Sequence, residues 1–412
     1  MSKLLVPLTT TGLTTNVHRN IVAKVTRSPI ESNSLRVDRV FVTPSVTSSR
    51  ENYLGYAAVM TDQDCSENND AWQALTGVPL LHGAKTLSHL VDGDIIGING
   101  KTGFVRTLYR IESNNNVIFA TDRCNSNCLM CSQPPKKIDD SEKVQENLTM
   151  IRLIDPAPEF LGISGGEPTL LRDDLFEIMR ALKKHLPGTF VNMLTNGRMF
   201  CYEDFTEKYS AVEHPLFRAA IPLYSDIPEL HDHVVQAESA FIQTVRGIYN
   251  LAALRQRIEI RVVIHKLTYE RLPHLAEFIF RNMPFVEHIA LMGLEIMGYV
   301  RKNLDMLWID PVDYQDELFG AVRYLNSVGM HVSIYNHQLC VLRKELWPFA
   351  RKSISDFKNI YLDECEKCSV RDKCGGLFKS SHSIHSKHIK AIKGDETPPA
   401  LTTSASDSVG SR

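Results

Sequence analysis

Between residues 116 and 295, short apolar runs of strand composition alternate with amphipathic helical runs. This alternation restricts the fold more than any other feature of the chain. The strand-like runs are VIFAT, EFLGI, FVNMLT, RAAIPL, IEIRVVIH and VEHIALM. The helical runs between them include DLFEIMRALKKHL, AFIQTVRGIYNLAAL and HLAEFIFRNM. In the first of these, Leu175, Ile178, Met179 and Leu182 recur at helical spacing on one face. Strand–helix repetition of this kind implies βαβ units and a parallel sheet, either doubly wound or curved into a full or partial barrel. In both arrangements ligands lie at the carboxyl ends of the strands.

The 412 residues are 43% apolar and 23% charged, the balance of a soluble chain of two or three domains with a sizeable core. A net charge of −2 gives no bulk attraction to nucleic acid or to an acidic membrane surface. No apolar run approaches the roughly 20 residues that span a bilayer. The opening MSKLLVPLTTTG has too short an apolar stretch for a secretory signal. The expected location is the cytoplasm, where cysteines stay reduced and clusters of them point to metal or catalysis rather than disulfides. Residues 1–115 read as a small β-rich domain, in which GDIIGINGKTGFVRTLYRI sets two β-rich runs around the turn signal NGKTG. Residues 116–295 form the α/β core and 296–392 a cysteine-bearing extension. Residues 393–412, rich in Pro, Ser and Thr without apolar periodicity, read as a disordered tail.

Seven of the nine cysteines fall in two groups. TDRCNSNCLMCSQPP carries Cys124, Cys128 and Cys131 as C-x3-C-x2-C directly after the VIFAT run, at a strand end. Three thiolates hold three corners of a cubane iron–sulfur cluster and leave the fourth iron open to a small molecule. A structural zinc ion with a distant fourth ligand is the alternative. One βα unit later, LGISGGEPTLL sits at the next strand end. There Gly165 and Gly166 let backbone approach a ligand closely. Glu167 adds a carboxylate suited to an ammonium group, unless the stretch is an ordinary glycine turn into a helix. The second group comprises Cys340 together with Cys365, Cys368 and Cys374, the last three spaced C-x2-C-x5-C in DECEKCSVRDKCGG. Four thiolates complete either a zinc site or a second 4Fe–4S cluster, and spacing alone does not separate the two. Cys65 and Cys201 are expected to pack as small hydrophobes.

The C-x3-C-x2-C loop followed by Gly-Gly-Glu-Pro resembles the radical S-adenosylmethionine (SAM) superfamily over residues 116–295. The resemblance implies an α/β fold: a partial (β/α)6 radical SAM barrel, with the β-rich domain before it and a C-terminal cysteine-rich auxiliary-cluster extension after it. It implies that Cys124, Cys128 and Cys131 ligate a 4Fe–4S cluster, that SAM chelates the open iron, and that Gly165, Gly166 and Glu167 help seat SAM. Reductive cleavage of SAM then yields methionine and a 5′-deoxyadenosyl radical that takes a hydrogen atom from the substrate. Met130 stands where the family often has an aromatic residue near the adenine. Asn196 and Ser225, at later strand ends, are candidates for the SAM ribose or carboxylate, against the turn and cap roles common for these residues. Arg261 is placed to meet the SAM carboxylate or a buried acid.

The C-terminal cysteines resemble the auxiliary-cluster extensions of peptide-modifying radical SAM enzymes, with enough cysteines here for one fully ligated auxiliary cluster. The segments MGLEIMGYVRKN and LCVLRKELWPFARKSISDFKNIYLDEC, with the N-terminal domain, resemble the His-Xaa-Ser system radical SAM maturases. That likeness implies a His/Ser-rich precursor peptide as substrate, a second radical SAM maturase as partner, and a reductant such as flavodoxin or ferredoxin, with neither nucleic acid nor membrane involved. A radical SAM enzyme acting on a small metabolite, and a non-catalytic iron–sulfur or zinc peptide-binding protein, are the rival readings. His382, His385 and His388 in HSIHSKH read as a polar segment near the end of the fold, against metal binding or mimicry of a substrate repeat.

Overall fold

The structure is a computed structural model that describes residues 8–64, 73–356 and 358–394; Cys65 and the expected tail from residue 395 onward lie outside these. The chain divides into two compact units. One comprises residues up to Ile118 with Ser141–Leu161 and Ala181–Thr189; the other comprises Phe119–Asp140, Gly162–Arg180 and the chain from Phe190.

The N-terminal unit is built on an eight-stranded sheet of β1 (Thr9–Thr11), β2 (Leu13–Thr15), β3 (Ile21–Thr26), β4 (Arg39–Val42), β5 (Ala58–Met60), β6 (Leu80–His82), β7 (Ile95–Ile98) and β8 (Phe104–Tyr109). Its order is β1-β8-β7-β3-β4-β5-β6-β2. The two ends of that order, β1 and β2, are separated in the chain by Gly12 alone, so the sheet closes on itself. Alternation along each strand divides its side chains between two cores. Val40, Val42, Ala58, Met60 and Leu81 enter one, and Phe41, Val59 and Leu80 the other. The hairpin expected around NGKTG is β7 and β8, paired antiparallel.

The second sheet runs in sequence order: β9 (Val117–Phe119), β10 (Phe160–Ser164), β11 (Phe190–Leu194), β12 (Phe217–Pro222), β13 (Arg257–Val263), β14 (His288–Met292), β15 (Val332–Tyr335) and β16 (Ala350–Arg351). Every pairing from β11 to β16 is parallel. Helices α1 (Glu142–Leu153), α2 (Asp173–His185), α3 (Glu203–Ser210), α4 (Pro228–Val235), α5 (Ala240–Ala253), α6 (Leu272–Asn282), α7 (Leu304–Leu307) and α8 (Gln315–Ser327) occupy the crossovers. Crossovers between parallel strands are right-handed, so from β11 onward, where every pairing is parallel, a strand order that never reverses puts the crossover helices on one side. That is a partial barrel rather than a doubly wound sheet. The expected (β/α)6 barrel is present as β9 to β14, and the same sheet continues through β15 and β16.

The two faces differ in chemistry. Val191, Met193, Ala219, Ile221, Ile258, Ile260, Ile289 and Leu291 share one face and are fully or almost fully buried. The inner face carries polar groups in register: Asn192, Arg218, Glu259, Arg261, His288 and Ser333. Helix α2 buries the expected stripe of Leu175, Ile178, Met179 and Leu182. Among the described residues, no helix is long and apolar enough to cross a membrane.

Candidate functional site

The loop that follows β9 is fixed at its base by Asp140. The Thr121 hydroxyl donates to both Asp140 oxygens (3.1 and 2.9 Å), and the Asp122 N–H donates to Asp140 Oδ2 (2.6 Å). The Asp122 carboxylate in turn pairs with Lys136 Nζ at 2.9 Å. Further along, the loop meets the C-terminus of α4, where helix carbonyls lack intrahelical partners. The Asn127 and Leu129 N–H groups donate to the Val235 and Val234 carbonyls at 3.1 and 2.9 Å. The Cys131 carbonyl accepts from Tyr299 N–H (2.9 Å), and the Leu129 carbonyl from Asn303 Nδ2 (2.8 Å). Cys124, Cys128 and Cys131 therefore sit on a loop whose backbone is held by three other segments.

The Gly-Gly-Glu turn after β10 lies directly against that loop. Gly166 N–H donates to the Thr121 carbonyl (2.7 Å) and Glu167 N–H to the Arg123 carbonyl (2.8 Å). Only glycine fits this approach: a Cβ on Gly165 would press on Thr121 backbone, and one on Gly166 on the Arg123 carbonyl oxygen. Gly165 also has φ +152°.

Glu167 has no exposed surface. Its Oε1 accepts from Thr169 N–H (3.0 Å), the Thr169 hydroxyl (2.5 Å) and the Thr195 hydroxyl (2.7 Å). Its Oε2 accepts from Asn196 N–H at 2.6 Å. Burial pushes the carboxyl's pKa up, and the Thr169, Asn196 and Thr195 donors oppose that. The side chain expected to meet an ammonium group is thus engaged with the protein's own donors, and it ties the end of β10 to the end of β11.

Asn196 is turned to the cysteine loop. Its Nδ2 donates to Asn125 Oδ1 at 2.6 Å and its Oδ1 accepts from Arg198 N–H at 3.1 Å. Arg198 completes the clamp, donating from Nη1 to the Asn125 carbonyl (2.5 Å) and the Ser126 hydroxyl (3.1 Å). Ser225 is fully buried, and its Oγ accepts from Ile227 N–H (3.0 Å), the contact of a turn entering α4. Its neighbour Tyr224 packs in one apolar cluster with Cys128, Met130 and Val263. The Tyr224 ring lies 5.7 Å from His231 and 6.3 Å from His265. Burial holds the phenol well above its ordinary range, with the Cys128 and Cys131 thiols adding to the effect. Burial also pulls His231 and His265 down to about 4, so both rings are neutral at neutral pH. Neither Arg198, Asp140 nor Tyr224 carries a motif that marks it in the sequence; only position beside a strand end hints at the first and last.

On the inner face Arg261 meets a buried acid. Its Nη1 lies 2.6 Å from Glu259 Oε1, while Arg218 Nη2 lies 2.6 Å and His288 Nδ1 3.0 Å from Glu259 Oε2. His288 Nε2 continues the chain to the Ser333 hydroxyl at 2.9 Å. Burial alone would raise the Glu259 pKa, but Arg218 and Arg261 outweigh it and hold the carboxyl far below the usual range. Arg261, only partly buried, has also Met292 sulfur at 3.1 Å.

Burial raises the first group's thiols, Cys124 to about 11 and Cys128 to about 12, with Cys131 shifted the same way. Free thiols here keep their protons at neutral pH, and a metal must displace them. The second group sits between β17 (Asn359–Ile360) and β18 (Leu377–Phe378) and just after β15. Cys340, Cys365, Cys368 and Cys374 line one small cavity with Tyr361 and Arg371. Cys201 is half-buried near α3. Among the described residues, no three His, Cys, Asp or Glu side chains are drawn together as a metal-holding group. The donor chemistry nonetheless fits: three soft thiols on one clamped loop, packed against a Gly165–Gly166 turn so closely that a side chain on either glycine would collide with the loop backbone.

A parallel barrel with this loop and this cradle at adjacent strand ends defines a class, the radical SAM fold. Residues 118–279 match the radical SAM superfamily, and the chain carries a domain of that superfamily. Such a domain implies a 4Fe–4S cluster and SAM. Among solved structures, the chain is similar to SuiB from Streptococcus suis bound to S-adenosylmethionine, at 15% identity over 53% of this chain and 46% of that one, TM-score 0.41. It is similar to anSMEcpe with bound AdoMet at 18% identity, covering 53% of this chain and 63% of that one, TM-score 0.43. A radical SAM methyltransferase from Sphaerobacter thermophilus matches at 12% identity, over 60% of this chain and 74% of that one, TM-score 0.41. The chain thus spans 46% and 63% of the length of the first two. A search of curated proteins gives no match.

Proposed function

We propose that the chain is a radical SAM peptide maturase. One observation carries the radical SAM part: the loop of Cys124, Cys128 and Cys131 accepts backbone hydrogen bonds, at its Thr121 and Arg123 carbonyls, from Gly166 and Glu167 at the next strand end. The three thiolates would hold a 4Fe–4S cluster, which when bound supplies the electron that splits SAM. The protein's own contribution is positional. Asn196 and Arg198 clamp the loop, Glu167 locks the turn to β11, and Gly165 and Gly166 let that turn lie directly against the backbone of the cysteine loop. Tyr224, Met130 and Val263 form an apolar wall that keeps water from the reacting centre.

The peptide part is supported by the four-cysteine extension, which suits a second 4Fe–4S cluster, or alternatively zinc, beside the barrel mouth. The substrate would be a His/Ser-rich precursor peptide, worked on with a second maturase and a flavodoxin- or ferredoxin-like reductant.

The test is anaerobic reconstitution with iron and sulfide. Wild type should cleave SAM to methionine and 5′-deoxyadenosine under reduction. The Cys124→Ala, Cys128→Ala, Cys131→Ala triple variant should lose about four irons and all cleavage. Deoxyadenosine formed by the triple variant at the wild-type rate would rule the reading out. Co-expression with the candidate peptide, followed by mass spectrometry, tests the substrate: an unmodified peptide beside active SAM cleavage would move the assignment to a small-molecule substrate.

A further inference from the structure

The carboxyl-end face of the barrel is covered by the chain's own C-terminal region. Ile384 and His385 line one small cavity with Ile264, Gly293 and Asn336, the residues that directly follow β13, β14 and β15. Ile384 also joins the apolar cluster that contains Met130 of the cysteine loop and Tyr224. Around it, Ser381, Ser386 and Ile389 are buried, while His382, Ser383, Lys387 and His388 are exposed.

The segment is held at the mouth by side chains, not by a ladder. The hydrogen bonds described for Ser381–His388 stay within residues 379–388. Ile384 N–H donates to the Ser381 carbonyl (3.2 Å), His385 Nδ1 lies 3.1 Å from the same carbonyl, and His388 N–H donates to Ser386 Oγ (3.1 Å). Ser380 Oγ is buried with no partner, an imperfect fit for a resident segment. Further on, the chain is tied down. Ser369 N–H donates to the Ile392 carbonyl (2.9 Å), and Ile392 N–H points to Cys368 Sγ at 3.4 Å. The segment is therefore anchored at Lys379, whose N–H donates to the Lys358 carbonyl (2.7 Å), and again beside the second cysteine group. Between these anchors residues 381–388 carry no described backbone bond to the barrel sheet, and Ile384 packs into the apolar cluster that includes Met130.

We propose that this face is a peptide-binding surface whose resident occupant is residues 379–388 of the chain itself, and that a substrate peptide binds by displacing them. The occupant indicates what the surface accepts: one branched apolar residue between small hydroxyl residues, with polar side chains turned outward. The inference rests on the reading of the barrel as a site that acts on a peptide.

The probe is a fluorescent synthetic peptide of residues 380–388, titrated into the full chain and followed by anisotropy. In wild type the covalently attached segment competes, so the apparent affinity is reduced by the fraction of molecules left open. Ile384→Asp puts a charge into an apolar cluster and should expel the segment, tightening peptide binding about ten-fold or more. The milder Ile384→Ser should act in the same direction and serves where Ile384→Asp does not fold. A probe with Asp in place of its Ile should bind neither protein. Equal affinity for wild type and both variants, or no binding to either variant, overturns the proposal. SAM cleavage measured without peptide in the same preparations separates the two readings. Cleavage without peptide binding sinks the docking surface alone, whereas tight binding to the variants without cleavage in wild type sinks the radical SAM reading alone.

Discussion

Replacing Glu167 by Gln tests whether its carboxylate acts on the ligand or on the protein. In the structure it takes four donors, two of them the backbone N–H groups of Thr169 and Asn196, with no surface left exposed. A carboxamide has one acceptor oxygen. Turned one way, its NH2 faces Asn196 N–H; turned the other, it faces Thr169 N–H. The Thr169 and Thr195 hydroxyls can rotate to accommodate either choice, but one backbone donor is orphaned in both. Hydrogen bonds to a charged group are worth about 1.5–3 kcal/mol and a buried orphan costs about 1–3 kcal/mol. Gln removes a buried charge, which offsets part of this, so the expected loss of stability is about 2–3 kcal/mol. Freed from Oε2, Asn196 also loosens its hold on Asn125, and SAM affinity should fall roughly ten- to a hundred-fold. Urea denaturation and SAM titration of the reconstituted protein read the two effects. Unchanged stability with weakened SAM binding would refute the positioning account and place the carboxylate on the ligand. Wild-type values in both would make Glu167 a passive turn residue.

Removing Cys340, Cys365, Cys368 and Cys374 together should cost about four of about eight irons and leave SAM cleavage intact without peptide; native protein with about four irons and one zinc would instead make the second site structural. Acidification should destabilise the chain through its buried histidines. His231, His265 and His337 are buried and lie at about 4, below the ordinary histidine range. The unfolded chain therefore takes up protons that the folded one refuses, so their stabilisation is full above about pH 6.5 and is lost as pH falls toward 4. At pH 5 this amounts to about 2 kcal/mol for each ring; equal urea midpoints at pH 7.5 and 5 would refute it. Glu259 acts in the same direction only below the usual glutamate range, since its pKa is depressed.

The barrel was legible because its signals are local. DLFEIMRALKKHL, residues 174–186, became Asp173–His185, with its expected stripe in the core, and each of the six strand-like runs holds a strand. Period and strand composition suffice for that, as does the cysteine spacing for the loop. What lay outside local reach depended on distant neighbours. Thr195 and Asn196 come 28 and 29 residues after Glu167, so no reading of Gly-Gly-Glu-Pro by itself shows that the carboxylate is already engaged. Asp140 sits in an acidic run before α1, where carboxylates are common at helix starts, and its grip on Thr121 spans 19 residues. Closure of the N-terminal sheet joins β1 to β8 and β2 to β6 across most of that unit, pairings that no pattern of alternation specifies. HSIHSKH looked merely polar because its lone apolar residue, Ile384, gains meaning only from the cluster it enters.

An incomplete barrel keeps two edges that a closed one lacks, and an exposed strand edge invites another chain to add to it. The second sheet tapers toward both. Its interior strands β10 to β14 run five to seven residues, whereas β9 at one edge has three and β16 at the other has two. Neither edge offers a run of unpaired backbone long enough to template a neighbouring strand. The chain can thus hold its cysteine loop and glycine turn at the strand ends of a partial barrel without presenting the sheet itself as a seed for aggregation.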